Sequence, residues 1–201
     1  MNQDVIDRLT TLEDEIEQKM EERRGLLRDS TGEVVENYEF LDTEGKGVTL
    51  ADLFGDSDEL IVIHNMGRSC PYCTLWADGF NGVAPHLADR AGFVLISPDR
   101  PEVQKEFVEG RDWRFPTYSA AESTFIEDMG YLTRDEEGKV FYMPGYSVFR
   151  REEDGTIRRT GRDFFGPMDM YSGIWHLFAL LPEGAGGWHP RFSYEEEIEG
   201  V

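Results

Sequence analysis

The 201 residues are enough for one ordinary domain with additions at its ends, and enough to bury a sizeable core. Asp and Glu outnumber Lys and Arg by 41 to 20, giving a net charge of -21 and a pI near 4.4. That balance argues against nucleic acid, whose phosphates need Lys and Arg, and against anionic membrane surfaces.

Residues 4–28 read as an amphipathic helix. Val5, Leu9, Leu12, Ile16, Met20 and Leu27 recur at steps near three and four, while Asp7, Asp14, Glu15, Glu21 and Glu22 take the other face. The helix packs on its own domain or, alternatively, pairs with a second copy as a short coiled coil, which would make a homodimer. Residues 33–48 read as a hairpin, with Val34, Val35, Tyr38, Phe40 and Leu41 as strand formers and 42–47 as the turn. Residues 50–54 make a helical turn closed by Gly55. The run Leu60-Ile61-Val62-Ile63, ending at His64, is too apolar for a one-sided strand and suits a central parallel strand covered on both faces. A helix is expected over 74–91, kinked or closely approached at Gly79, Gly82 and Pro85.

A second buried strand covers 93–97, a helix 101–110, an extended stretch 115–119 and a short helix 123–130. Residues 133–140 read as an exposed loop or small hairpin. A strand entered from Pro144 follows, and 156–159 pairs back on it through the turn at 152–155. A last amphipathic helix is expected over 168–181, with Met170, Ile174, Trp175, Leu177, Phe178 and Leu181 on one side. The rest, rich in Gly and Glu, is expected to wrap loosely. The chain thus divides into a helix (1–32), an α/β domain (33–182) and an acidic tail (183–201). Alternating apolar strands and helices imply a central mixed sheet flanked by helices.

Cys70 and Cys73 are the only cysteines. A Cys-x-x-Cys at a strand-to-helix junction places a thiol among the unpaired N–H groups of a helix N-terminus, which favour a thiolate. Cys70 is the candidate nucleophile, with Arg68 nearby to lower its pKa further. Cys73, one turn on, is the candidate resolving thiol. His64 is a candidate proton acceptor for Cys73; the plainer reading is a buried, satisfied histidine. A binding protein is the competing class, holding Zn or Cu through Cys70 and Cys73 with His64 or His86 as further ligands. Asp78 is expected to act structurally, near Arg68 or a backbone turn. Tyr72 and Trp76 are candidates for the rim, Trp76 more often being core. Trp188 and His189 carry no reading from sequence. No Gly-rich dinucleotide loop follows a strand, so no organic cofactor is implied.

The polar opening Met1-Asn2-Gln3-Asp4 has no secretory pattern, and no apolar run approaches the roughly 18 residues of a membrane span. A soluble, cytoplasmic protein is expected, in a compartment where such a pair is catalytic or metal-binding rather than structural. The acidic, Lys-poor composition is similar to that of proteins from salt-adapted organisms; an acidic protein of an ordinary cytosol is the alternative.

The stretch Cys70-Pro71-Tyr72-Cys73-Thr74-Leu75-Trp76-Ala77-Asp78-Gly79-Phe80-Asn81-Gly82 resembles a thioredoxin-like family catalogued as a domain of unknown function. Pro144-Gly145-Tyr146-Ser147-Val148-Phe149 resembles the same family. The hairpin leading to Val48-Thr49-Leu50-Ala51-Asp52-Leu53-Phe54-Gly55 is similar to the alkyl hydroperoxide reductase and thiol-specific antioxidant branch of the thioredoxin superfamily. The resemblance implies a thioredoxin-like fold with an N-terminal helix and hairpin extension. It also implies a cis-proline facing the cysteines, at Pro144 by order with Pro116 as the rival, and thiol–disulfide exchange with a protein or low-molecular-weight thiol. Peroxiredoxins carry Thr or Ser three residues before the reactive cysteine and Pro seven before. Gly67 and Ile63 stand there instead, which weighs against peroxidase activity of that type.

Overall fold

The computed structural model describes residues 2–29 and 32–194. Helix α1 (Gln3–Asp29) leads to strands β1 (Glu33–Val35), β2 (Glu39–Leu41) and β3 (Gly47–Thr49). After a short 3-10 turn come β4 (Glu59–His64), α2 (Pro71–Arg90), β5 (Gly92–Ser97), α3 (Pro101–Arg111) and β6 (Thr117–Ser119). The chain continues through α4 (Phe125–Asp128), a β7–β8 hairpin (Leu132–Arg134, Val140–Tyr142), β9 (Gly145–Arg151), β10 (Ile157–Phe164) and α5 (Ile174–Phe178).

One eight-stranded mixed sheet runs β1-β10-β9-β4-β5-β6-β2-β3. Strands β4, β5 and β6 are parallel; β9 runs antiparallel to β4, and β10 to β9. The continuous apolar runs of β4 and β5 are explained by burial on both faces. Leu60 and Val62, with Val94 and Ile96, join Phe125 and Phe149 on one side. Ile63, with Phe93 and Leu95, joins Trp76, Ala77 and Phe165 beneath α2 on the other. Strand alternation thus sorts one run of residues into two cores.

Four expectations change. Residues 33–48 are not one hairpin: β1 pairs with β10 at one edge of the sheet, and only β2 and β3 pair locally at the other. Helix α2 is continuous through Gly79, Gly82 and Pro85, and starts at Pro71 rather than 74. The helix expected over 168–181 shrinks to α5, because Asp169 turns the chain first. Its carboxylate accepts the N–H groups of Gly166, Tyr171 and Ser172 at 2.8–3.0 Å. The tail docks through residue 194, as described below, and residues 195–201 lie outside the described range.

Gly145, the first residue of β9, pairs with His64 at the end of β4. A Cβ there would collide with the Asp163 carbonyl oxygen and lie 2.6 Å from the Tyr131 ring. The close approach of β9 and β10 at this point therefore needs glycine.

Candidate functional site

Cys70 occupies the N-cap position of α2, with extended backbone (φ -104°, ψ 104°), and Pro71 follows at the first helical position. Its Sγ accepts the backbone N–H of Cys73 at 3.2 Å. The Cys70 carbonyl accepts both the N–H and the hydroxyl of Thr74, at 3.1 Å each. Cys70 is partly exposed and Cys73 is buried, and both are free thiols.

The two sulfurs titrate in opposite directions. A hydrogen bond from the Cys73 thiol, with the N–H groups of Cys73 and Tyr72, brings the Cys70 pKa down to about 6 against the opposing effect of burial. The same thiol bond, with burial, holds Cys73 well above the ordinary thiol range, although the Met66 N–H reaches its sulfur at 3.5 Å. At neutral pH the arrangement is an outer thiolate and an inner thiol.

The loop before Cys70 is fixed by groups that the linear sequence did not flag. Asp99 accepts the Arg68 N–H at 2.7 Å, and its carboxylate fills the space where a Cβ on Gly67 would lie. Gly67 has a φ of +97°, its N–H donates to Asn65 Oδ1 at 2.8 Å, and its carbonyl accepts the Cys70 N–H at 3.2 Å. The sequence clue was Gly67 itself: a left-handed backbone with no room for a side chain.

Two of the expected site residues take other roles. Arg68 lends its backbone N–H to the loop, while its side chain is exposed and is not among the causes of the Cys70 shift. His64 lies on the wrong face. It leaves β4 on the side of Leu60 and Val62, stacks on Tyr131 at 3.7 Å and contacts Ser147 Oγ at 2.9 Å through Nε2. The cysteines sit on α2, which covers the opposite face. Burial, assisted by the Arg159 charge, holds His64 well below the usual histidine range.

Pro144 immediately precedes β9, whose first residue pairs with the end of β4, and no peptide bond among the described residues is cis. Asp78 is structural with a different partner. It accepts Arg111, from the end of α3, and Trp113 Nε1 at 2.8 Å, pinning α2 to α3. Trp76 is core, 3 % exposed. His86 is exposed on α2, and among the described residues no three His, Cys, Asp or Glu side chains gather as a metal site.

The tail supplies what the sequence left blank. Tyr72, between the cysteines, shares a 2.7 Å hydrogen bond with His189 Nδ1, and its ring stacks on Trp175 at 6.1 Å. Trp188 packs edge-on against Trp175 and Phe178, and the Phe192 carbonyl accepts Arg111 Nη1 at 2.6 Å. The C-terminal segment therefore forms one wall beside the Cys70–Cys73 turn.

Residues 6–194 match the family described as "Bacterial protein of unknown function (DUF899)", and the chain belongs to that family. No curated protein matches it. In structure it is similar to peroxidoxin BcpB from Mycobacterium tuberculosis, at 28% identity and a TM-score of 0.52, covering 63% of this chain and 81% of that one. It is also similar to a peroxiredoxin Q from Xylella fastidiosa, at 13% identity and a TM-score of 0.58, covering 71% and 88%. A peroxiredoxin Q from Xanthomonas campestris gives 18% identity and a TM-score of 0.53, covering 63% and 78%. The fold is thioredoxin-like, of the kind found in peroxiredoxins. No helix among the described residues is long and apolar enough to cross a membrane.

Proposed function

We propose that the chain is a thiol–disulfide oxidoreductase in a reducing compartment such as the cytoplasm, acting on a protein or low-molecular-weight disulfide. The observation that carries the reading is the asymmetry of the pair: a partly exposed Cys70 sulfur accepting an N–H at the helix N-cap, and a buried Cys73 thiol hydrogen-bonded to it. The peroxiredoxin-like neighbours support a role in thiol redox chemistry.

The Cys70 thiolate attacks one sulfur of the substrate, the S–S bond breaks, and the distal sulfur leaves as a thiolate. Cys73 then gives up its proton, which the departing thiolates take, and attacks the Cys70 sulfur of the mixed disulfide. The products are a Cys70–Cys73 disulfide and the two reduced sulfurs of the substrate, one carrying the Cys73 proton and the other left as a thiolate until solvent protonates it. A second protein or small thiol supplies the electrons that reopen the pair. Once Cys70 is covalently occupied it no longer accepts the Cys73 proton, which removes the main force holding that thiol protonated. Pro144, which precedes β9 beside the end of β4, is a candidate wall for the bound disulfide.

The test is the alkylation rate of reduced, metal-free protein against pH. A rate midpoint near 6, lost in Cys70→Ser and kept in Cys73→Ser, is expected. Cys73→Ser should also accumulate a mixed disulfide with glutathione disulfide. A midpoint at the free-cysteine value of about 8.5 sinks the reading. Oxidation of Cys70 by hydrogen peroxide far faster than by disulfides would move the substrate to peroxides.

A further inference from the structure

The second half of the exchange makes a demand that the first does not. Cys73 is 3 % exposed, so a thiolate formed there meets almost no water. Its hydrogen bond to Cys70 and its burial both raise its pKa, and Cys70 is the titratable group that bears on it. His64, the acceptor expected from the sequence, lies across the sheet against Tyr131.

The group that does reach the Cys73 sulfur is a backbone N–H, that of Met66, at 3.5 Å. A strand would not aim it there. The Asn65 N–H continues the ladder from β4 to β5, donating to the Ile96 carbonyl at 2.9 Å. Successive N–H groups of a strand point to opposite sides, so the next would face β9, whose first residue Gly145 pairs with His64. The chain instead turns at Asn65. The Asn65 carboxamide Oδ1 accepts the Gly67 N–H at 2.8 Å, closing a turn that spans Met66. Gly67, with its φ of +97°, then carries the chain on towards Cys70. Asn65 and Gly67 are both buried, so water competes little for this bond.

We infer, granting the exchange reaction proposed above, that Asn65 is a positioning residue for its resolving step: the turn it closes holds the Met66 N–H against the Cys73 sulfur and stabilises the attacking thiolate. In the reduced pair the Cys73 thiol donates to Cys70. Once Cys70 is joined to substrate, the Cys73 proton passes to the substrate thiolate released first. The Cys73 lone pair then forms the Cys70–Cys73 bond. The bond from Cys70 to substrate breaks, and the second substrate sulfur leaves with its electron pair. Between proton loss and attack a negative charge sits on a buried sulfur, and a fixed N–H donor counts most there.

The test uses one equivalent of dithiobis(nitrobenzoate), an aromatic disulfide that any reachable thiol attacks. The coloured thiolate is released twice, first by Cys70 and then, in a first-order phase, by Cys73. In Asn65→Ala the pH midpoint of the second phase should rise by about one unit, the effect of losing one hydrogen bond to a charged group. At neutral pH that phase should slow by only about threefold, because the more basic thiolate is also the better nucleophile. Asn65→Ser, whose hydroxyl can close the same turn, should recover part of the shift. Should Asn65→Ala fail to fold, Asn65→Ser carries the test, with a smaller shift in the same direction. Asp99→Ala loosens the loop at Arg68 but leaves the turn at Asn65 in place. Its second-phase midpoint should therefore match the parent. An unmoved midpoint in the Asn65 variants, with or without a slower phase, or an equal shift in Asp99→Ala, would overturn the inference. Failure of the exchange reading appears elsewhere, in the pH midpoint of the first phase.

Discussion

Cys70 and His64 stand six residues apart, on opposite sides of one sheet, and both titrate far from their ordinary values. His64 is 1 % exposed, stacked on Tyr131 and tied to Ser147, with its Nδ1 left unpartnered. Its shift comes from being sealed away, and the result is a neutral ring that meets nothing from solvent. The Cys70 shift comes from hydrogen bonds offered to the charged sulfur, and the result is a thiolate that stays partly open to solvent. A displaced pKa therefore marks a chemical site only where access and a bond-exchanging neighbour accompany it.

The harshest way to break the contrast is to remove the residue on which both faces depend. Gly145→Ala drives a methyl group into the Asp163 backbone and the Tyr131 ring. Chemical denaturation should show a loss of about 3 kcal/mol or more, at the upper end of overpacking costs, because backbone rather than a flexible side chain must yield. Asp99→Ala acts on the cysteine face alone. It strips the Arg68 N–H and the Ser97–Gln104 network of an acceptor. A loss of about 1–3 kcal/mol is expected, together with a Cys70 alkylation midpoint closer to the ordinary thiol value as the loop loosens.

His64→Phe acts on the other face, and its signature is pH dependence. The folded pKa lies below the 6.5 of a free histidine. Under acid conditions the unfolded chain therefore binds a proton that the folded chain refuses. Stability conferred by the neutral ring is full above 6.5 and is lost as pH falls below it, by up to about 1.4 kcal/mol per pH unit. Urea midpoints measured from pH 7 down to 5 should fall less steeply in the variant, while the Cys70 titration stays unchanged. A moved Cys70 midpoint would mean that the two faces are coupled after all. The smallest effect is expected from His189→Ala, which takes the partner from the Tyr72 hydroxyl. About 1 kcal/mol or less should be lost, and Cys70 should react faster with bulky disulfides but not with iodoacetamide.

The sequence made the local chemistry legible and the long-range packing much less so. The apolar run into β4 and the cysteine spacing could be read because each rests on neighbours in the chain. The face taken by His64 could not, because a strand buried on both sides loses the alternation that reports direction; Val62 and Ile63 look alike although they enter different cores. Pairing of β1 with β10 joins residues more than a hundred positions apart. The docking of His189 on Tyr72 has the same character. Asp78 was correctly read as structural, but its partner comes from α3 and not from the loop beside it.

A position with no room for a single added carbon is also a position that cannot drift. Members of the family with serine in place of Cys70 would keep a capping side chain at the start of α2, because the N-cap accepts serine as readily as a thiolate. They cannot exchange Gly145 without parting β9 from β10. Across an alignment of the family, the glycine of this strand pair is expected to persist even in members that lack Cys70 or Cys73, a trace of common descent carried by packing alone.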